Sequence, residues 1–224
     1  ETGVRAVAEG GASSVTNTDG ERAFPAVLHG MISRDAYFAA HPDQVWLEAI
    51  AGDPQRRSNV YALARGSGRK TVVLTGHFDV VSVDNYGSHE GYAFDPEALL
   101  PRLVTDLRVS ARSEPERRAL ADLEGGDFLP GRGLLDMKSG LAAGLVALYK
   151  FAALEQRVGN ILFVAVADEE DQSHGARAAA PALLELTAEH DLEIVGVINL
   201  DATSDSGDGG SGRAVYLGSV GKLL

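Results

Sequence analysis

The chain has 224 residues, of which 45% are hydrophobic and 23% charged, a composition typical of a globular domain with a sizeable core. Acidic residues outnumber Lys and Arg by 32 to 20, and the formal net charge of −12 disfavours nucleic acids and anionic membrane surfaces as partners. Cysteine is absent, which excludes disulfides, thiolate zinc sites and a cysteine nucleophile, so any metal must be held by His, Asp or Glu.

Strand and helix patterns alternate along the chain, which predicts an α/β fold. In chain order we predict a helix at 20–32, strands at 60–64 and 71–75, a helix at 139–152, a strand at 161–166, a helix at 175–190 and strands at 194–198 and 214–217. Three of these strands, 71–75, 161–166 and 194–198, are continuously apolar, as is typical of strands buried on both faces of a parallel sheet. Gly, Pro and charged residues predict loops at 83–95, 112–130 and 207–212.

No run reaches the roughly 18 apolar residues of a membrane span, and the first ten residues lack the pattern of a signal peptide. We therefore expect a soluble, cytoplasmic protein that binds no membrane. The chain begins at Glu1 and ends on an apolar stretch, from which we expect a fragment of a longer protein.

Metal-ligating side chains follow each of the apolar strands. His77 and Asp79 follow the first, the acidic run 168–171 follows the second, and Asp201 follows the third. Asp136 directly precedes the helix predicted at 139–152. Because the carboxyl ends of parallel strands form the ligand-binding edge of an open α/β sheet, we expect these side chains to converge.

This donor set suits zinc, with cobalt or manganese as substitutes. Several carboxylates in one crevice raise one another's pKa unless a cation neutralises them, and a pair of metals bridged by a carboxylate activates water. Glu169 and Glu170 can then divide two roles, one binding metal and the other carrying a proton from water to a leaving nitrogen. Taken singly, each residue also fits a simpler role, such as a buried histidine, a helix cap or a turn residue.

Four motifs occur in the order expected for one known family. They are Gly-His-Phe-Asp-Val-Val at 76–81, Gly-Arg-Gly-Leu-Leu-Asp-Met-Lys-Ser-Gly at 131–140, Asp-Glu-Glu at 168–170 and the lone Asp201. Together they resemble the motifs of the M20 zinc metallopeptidases and aminoacylases. The resemblance implies a three-layer α/β sandwich with a mostly parallel central sheet, formed by residues 1–224 as a single catalytic domain that is incomplete at its C-terminus.

The same resemblance implies a role for each matched residue. His77 and Asp201 would bind one zinc, Asp136 would bridge two, and Glu170 would bind the second. Two further residues are expected to be catalytic: Asp79, which orients the His77 ring and fixes its tautomer, and Glu169, the general base. The resemblance also implies a cis peptide bond between Asp136 and Met137.

Parts of the family pattern have no counterpart in this sequence, namely the lid and dimerisation domain, through which the full-length protein would form a homodimer, and one further metal-binding histidine. We therefore expect the site of His77, Asp136 and Asp201 to keep its three ligands, and the site of Asp136 and Glu170 to lack its third.

The implied activity is hydrolysis of an amide or peptide bond in a small amino-acid or peptide-like substrate through a zinc-activated water, in the catabolism of arginine or related amino acids. The alternatives are another activity of the family, as an aminoacylase or dipeptidase, and a metal-binding fragment without turnover.

Overall fold

Five strands form one mixed sheet in the computed structural model, which describes residues 19–202. In chain order the strands are β1 (Val45–Ala49), β2 (Ser58–Ala64), β3 (Lys70–His77), β4 (Asn160–Val166) and β5 (Glu193–Asn199). Their order across the sheet is β1-β2-β4-β3-β5. The β3–β4 and β3–β5 pairs are parallel, whereas β1–β2 and β2–β4 are antiparallel, so that every strand except β2 runs in one direction. The predicted α/β class is confirmed.

Helices cover both faces of the sheet. They are α1 (Asp19–Ile32), α2 (Ala36–Ala40), α3 (Pro96–Ser110), α4 (Glu114–Gly125), α5 (Ser139–Ala152) and α6 (His174–Glu189). Apolar side chains of α1 and α5 pack on one face of the strands, and those of α6 pack on the other. Because successive strand residues point to opposite faces, β2 and β4 contribute to both cores, which explains their continuous apolar sequences.

The loop predicted at 112–130 is wrong, because α4 occupies most of it. The helix begins with a capping box, in which Ser113 accepts from the backbone of Glu116 and the Glu116 side chain accepts from the backbone of Ser113. The residue that follows the helix is Gly126, whose φ of 81° lies in the left-handed region that favours glycine. No residue of α4 is fully buried, and only Leu120 and Leu123 among its apolar side chains are half-buried, so the helix contributes little to the core. The segment 84–92, also predicted as a loop, forms short 3-10 turns that are interrupted at Gly87.

The prediction that 194–198 is buried on both faces is also wrong. Val195, Val197 and Ile198 of β5 are each more than half exposed. Among the described residues, β5 lies at the edge of the sheet, pairs only with β3, and is covered by little on its outer side.

The loop predicted at 207–212 and the strand predicted at 214–217 lie outside the described residues. Between residues 19 and 202 there is no helix of the length and apolar character that crossing a membrane requires.

Candidate metal centre

Strands β3, β4 and β5 end level with one another, and this brings their following residues to one edge of the sheet. His77, the last residue of β3, pairs in register with Val166 at the end of β4. On the other side, Thr75 of β3 pairs with Asn199 at the end of β5. Parallel pairing therefore delivers the residues after all three strands to the same place.

The other five residues predicted for the site lie around the imidazole of His77. Its Nε2 atom is 2.9 Å from Asp136 Oδ1, 3.8 Å from Asp201 Oδ1 and 3.9 Å from Glu169 Oε2. Its Nδ1 atom is 3.3 Å from Asp79 Oδ1. One ligand atom each of His77, Asp136 and Glu170 lies within 4.8 Å of the others.

Asp79 joins the end of β3 to the turn that follows β4. Its carboxylate is buried beside the His77 ring and accepts hydrogen bonds from the backbone N–H groups of Glu169 at 3.0 Å and Glu170 at 2.9 Å. His77 Nδ1 lies 3.2 Å from the main-chain carbonyl oxygen of Asp79 and 3.3 Å from its carboxylate, and a proton on Nδ1 directed at these acceptors leaves Nε2 free to act as a metal ligand.

The charges around the site are predominantly negative. Burial lowers the pKa of His77, but the hydrogen bond to Asp79 and the charges of Asp79, Asp201 and Asp136 outweigh it and raise this pKa to about 9. Burial and the neighbouring Asp136 raise the pKa of Glu170. Burial raises the pKa of Asp79, but hydrogen bonds and charge, chiefly the hydrogen bond from His77, outweigh burial and hold this pKa below its usual range. His77 and Glu170 therefore both hold protons more tightly than usual, as expected for a site whose negative charge a bound cation would neutralise.

The segment carrying Asp136 is anchored beneath the site. The peptide bond between Asp136 and Met137 is cis, as predicted. Met137 is fully buried, and its Sδ accepts a hydrogen bond from the backbone of His77 at 3.0 Å. A Cβ on Gly76 would lie 2.0 Å from Cε at the end of the Met137 side chain, so the glycine leaves room for the methionine in its present position. Lys138, also buried, donates from Nζ to the carbonyl oxygen of Phe78 at 3.0 Å.

Asp201 is positioned by its neighbour Leu200. The backbone N–H of Leu200 donates to the carbonyl oxygen of Thr75 at 2.8 Å, which continues the β3–β5 pairing past the end of β5. On its other side, a Cβ on Gly140 in the first turn of α5 would lie 2.0 Å from the carbonyl oxygen of Leu200. The glycine therefore allows α5 to approach close enough to hold this segment beside His77.

The donor set fits a divalent cation such as zinc. An imidazole nitrogen and carboxylate oxygens are the ligands that zinc takes in the absence of thiolates, at bond lengths of about 2.0 to 2.2 Å. His77, Asp136 and Asp201 supply one nitrogen and two carboxylates, and Glu170 adds a further carboxylate close to Asp136. Within residues 19–202, His77 is the only third donor grouped with Asp136 and Glu170.

A buried ionic cluster below the acidic turn was not predicted from the sequence. Its centre is Arg57, which is 3% exposed and donates from Nη1 to Asp168 Oδ1 at 2.5 Å. Asp168 is the first residue of the acidic run, but its side chain contacts Arg57 rather than His77. Asp53 and Glu21 complete the cluster around the guanidinium. Arg57 and Asp168 are 111 residues apart, and nothing in the sequence near Arg57 marks it as buried.

Comparison with known proteins agrees with this geometry. The sequence profile described as Peptidase family M20/M25/M40 matches residues 114–212. This part of the chain thus matches the M20 family of peptidases.

Among its relatives, protein RocB of Bacillus subtilis (strain 168) is 36% identical over 215 residues, which are 95% of this chain and 37% of RocB. A succinyl-diaminopimelate desuccinylase of Leptothrix cholodnii is 35% identical over 117 residues, which are 51% of this chain and 24% of that enzyme. The chain thus spans little more than a third of the length of RocB.

A solved structure shares the fold. The M20 family metallo-carboxypeptidase Sso-CP2 from Sulfolobus solfataricus superposes with a TM-score of 0.55 over 92% of this chain and 37% of its own, at 17% sequence identity. Such a likeness establishes the fold, with helices on both sides of a mixed sheet.

Proposed function

We propose that this chain forms the zinc-binding catalytic part of a hydrolase that cleaves a C–N bond in a small amino-acid derivative. The observation that carries the proposal is the convergence of His77, Asp136 and Glu170, whose ligand atoms lie within 4.8 Å of one another at the carboxyl edge of the sheet. The match of residues 114–212 to the M20 peptidase family supports hydrolysis as the reaction class.

His77, Asp136 and Asp201 are the proposed ligands of one metal ion, and Asp136 and Glu170 are proposed for a second. When bound, zinc supplies Lewis-acid polarisation of a carbonyl group and lowers the pKa of a water molecule. Asp79 keeps the His77 ring in the orientation that directs Nε2 at the carboxylates.

Glu169 is proposed as the general base. Its side chain is about one-third exposed and lies 3.9 Å from His77 Nε2, so it faces both the ligand cluster and the open edge of the site. From there its carboxylate can accept a proton from the attacking water and later deliver it to the nitrogen that leaves when the C–N bond breaks.

The proposed substrate is an N-acylated or peptide-like amino acid. Support comes from the similarity to RocB and to an enzyme named for removing a succinyl group from succinyl-diaminopimelate. The setting in arginine or related amino-acid catabolism and the homodimer of a longer protein stay predictions from the sequence.

Zinc stoichiometry tests the metal part of the proposal. Elemental analysis of the dialysed chain is expected to give about one zinc, which Asp136→Ala abolishes because Asp136 contacts both proposed sites. Asp43→Ala removes an exposed carboxylate far along the chain from the motifs and is expected to retain the zinc. A value near two would show that another group supplies the missing ligand. No zinc, even after it is added back, would disprove the metal site.

Hydrolysis of a panel of N-acyl amino acids and dipeptides tests the reaction. Glu169→Gln is expected to abolish turnover while zinc remains bound. Turnover that survives this substitution unchanged would contradict the proposed base. A chain that binds zinc and hydrolyses nothing on the panel would instead be a metal-binding fragment, the alternative to an enzyme.

A further inference from the structure

We propose that Arg57 is a positioning residue for the two adjacent glutamates of the site, Glu169 and Glu170, and that it acts through Asp168. The inference rests on the proposed function, because it concerns how the proposed metal ligand and general base are held. It adds a residue that belongs to none of the sequence motifs.

The sheet topology explains why Arg57 reaches the acidic turn. Arg57 directly precedes β2, and β2 runs antiparallel to β4, with Val60 opposite Ala165. The first residues of β2 therefore lie beside the last residues of β4, where the acidic turn begins. Asn59 of β2 lies equally close to the end of β4, because its side-chain oxygen accepts a hydrogen bond from the backbone N–H of Ala167 at 3.2 Å.

Asp53 fixes the orientation of the Arg57 guanidinium relative to the acidic turn. Arg57 Nε and Nη2 donate to the two carboxylate oxygens of Asp53 at 2.9 and 2.7 Å, which is a bidentate pair. The backbone N–H of Arg57 donates to the same carboxylate at 2.8 Å. Since Asp53 and Arg57 are both buried, Nη1 is directed at Asp168 with little freedom to move.

Asp168 transfers this constraint to the turn. It is almost completely buried and has a φ of 64°, a conformation that residues other than glycine rarely adopt without supporting contacts. One carboxylate oxygen accepts from Arg57, and the other accepts from the backbone N–H of His174 at 3.1 Å and lies 2.5 Å from His174 Nδ1. With the Asp168 side chain held inside, Glu169 and Glu170 are turned towards the site.

The acidic turn is therefore held from two sides. Asp79 accepts the backbone N–H groups of Glu169 and Glu170 from the β3 side, and Arg57 holds the side chain of Asp168 from the β2 side. Lysine cannot replace Arg57 here, because a single ammonium group cannot bond Asp53 through two parallel hydrogen bonds and also reach Asp168 in the same plane.

The test compares Arg57→Lys with Arg69→Lys. Arg69 forms an ion pair with Asp191 that is mostly exposed on both sides, so its replacement controls for the loss of a guanidinium. The zinc affinity of each purified chain is measured by competition with a chromophoric chelator, and the absorption spectrum with Co²⁺ reports the ligand geometry. Arg57→Lys is expected to weaken zinc binding about 10- to 100-fold and to alter the cobalt spectrum, whereas Arg69→Lys should do neither.

A double-mutant cycle separates positioning from general destabilisation. Glu170 has a ligand atom within 4.8 Å of those of His77 and Asp136, so its carboxylate also contributes to the affinity for the single zinc expected in this chain. If Arg57 acts through the acidic turn, Arg57→Lys should therefore weaken zinc binding much less in a Glu170→Gln background. An equal loss in both backgrounds would overturn the inference, as would wild-type affinity in a folded Arg57→Lys chain. Where Arg57→Lys reduces the folded fraction, Asp168→Asn, which keeps the size and one acceptor oxygen of the side chain, is expected to give the same loss. A wild-type chain that binds no zinc would instead disprove the proposed function.

Discussion

The carboxylate of Asp79 accepts the backbone N–H of Glu170 at 2.9 Å, although 91 residues separate them. The same carboxylate lies beside His77 Nδ1 and accepts the backbone N–H of Glu169. One buried side chain thus sets the orientation of the proposed metal-binding histidine and the position of the two glutamates.

Asp79→Asn should uncouple these contacts with little change in side-chain volume. The asparagine amide has one acceptor oxygen instead of two, so at least one backbone N–H of the turn loses its partner, at a cost of about 1 to 3 kcal/mol. We expect zinc affinity to fall about 10- to 100-fold. Asp171→Asn, in the same turn but hydrogen-bonded to the side chain of Gln172 rather than to the turn backbone within the described residues, is the control and should bind zinc like the wild type. Equal affinities of the two variants would contradict this account of Asp79.

The close approach of Gly140 to Leu200 predicts a steric effect. Gly140→Ala would place a methyl group 2.0 Å from a backbone oxygen, which only a shift of α5 or of the segment 200–201 can relieve. We expect a loss of about 1 to 3 kcal/mol in the free energy of unfolding and weaker zinc binding, because Asp201 moves with Leu200.

Gly30→Ala provides the matched control for this substitution. Gly30 lies within α1, and a Cβ there would meet no atom within 4 Å. Alanine is the better helix former by about 1 kcal/mol, so this variant should have a raised Tm. A Gly140→Ala chain with an unchanged Tm would contradict the prediction, because it would show that the segment around Leu200 can shift without loss of stability.

Much of the site could be predicted from sequence because its ligands follow apolar strands. Once parallel pairing of the strands is assumed, a residue at the end of a buried strand, such as His77, is placed at the ligand-binding edge of the sheet. Arg57 offers no such signal, since its partners Asp53, Asp168 and Glu21 come from three different parts of the chain. Long-range pairing of a buried charge becomes visible only once the strands are assembled.

The errors in the fold have equally specific causes. Helix α4 begins with a capping box at Ser113 and has no fully buried residue, and its Pro and charged residues led to the prediction of a loop. For β5 the apolar sequence is clear, but its burial depends on what covers the sheet edge, which a single strand does not encode.

The buried ionic cluster predicts that stability of the metal-free chain depends on pH. Glu21 shares Arg57 with two other carboxylates, and its burial, only partly offset by Arg57, raises its pKa from 4.5 to about 7. Between pH 4.5 and about 7, Glu21 therefore keeps its proton in the folded state and loses it in the unfolded state. The free energy of unfolding should therefore fall as the pH rises from 4.5 to 7, by on the order of 3 kcal/mol from this group.

Urea unfolding at pH 5 and pH 8 measures this difference. Glu21→Gln, which keeps an acceptor for Arg57 without a charge, should reduce the pH dependence and be more stable than the wild type at pH 8. Glu155→Gln replaces an exposed glutamate and should leave the pH dependence unchanged. If the wild type and Glu21→Gln lose the same stability between the two pH values, Glu21 is not the group responsible.

Zinc binding itself should release a proton. The carboxylates around His77 raise its pKa to about 9 in the metal-free chain despite burial, so at pH 7 both ring nitrogens carry protons. The Nε2 proton must leave before a metal takes its place, and the apparent zinc affinity should therefore increase about tenfold per pH unit between pH 7 and 9. Calorimetric titration at pH 7 in buffers of different ionisation enthalpy should register about one proton released per zinc. An affinity that is constant between pH 7 and 9 would mean that Nε2 of His77 is already deprotonated in the free chain or is not a ligand, and His77→Ala distinguishes these two cases because it abolishes binding only in the first.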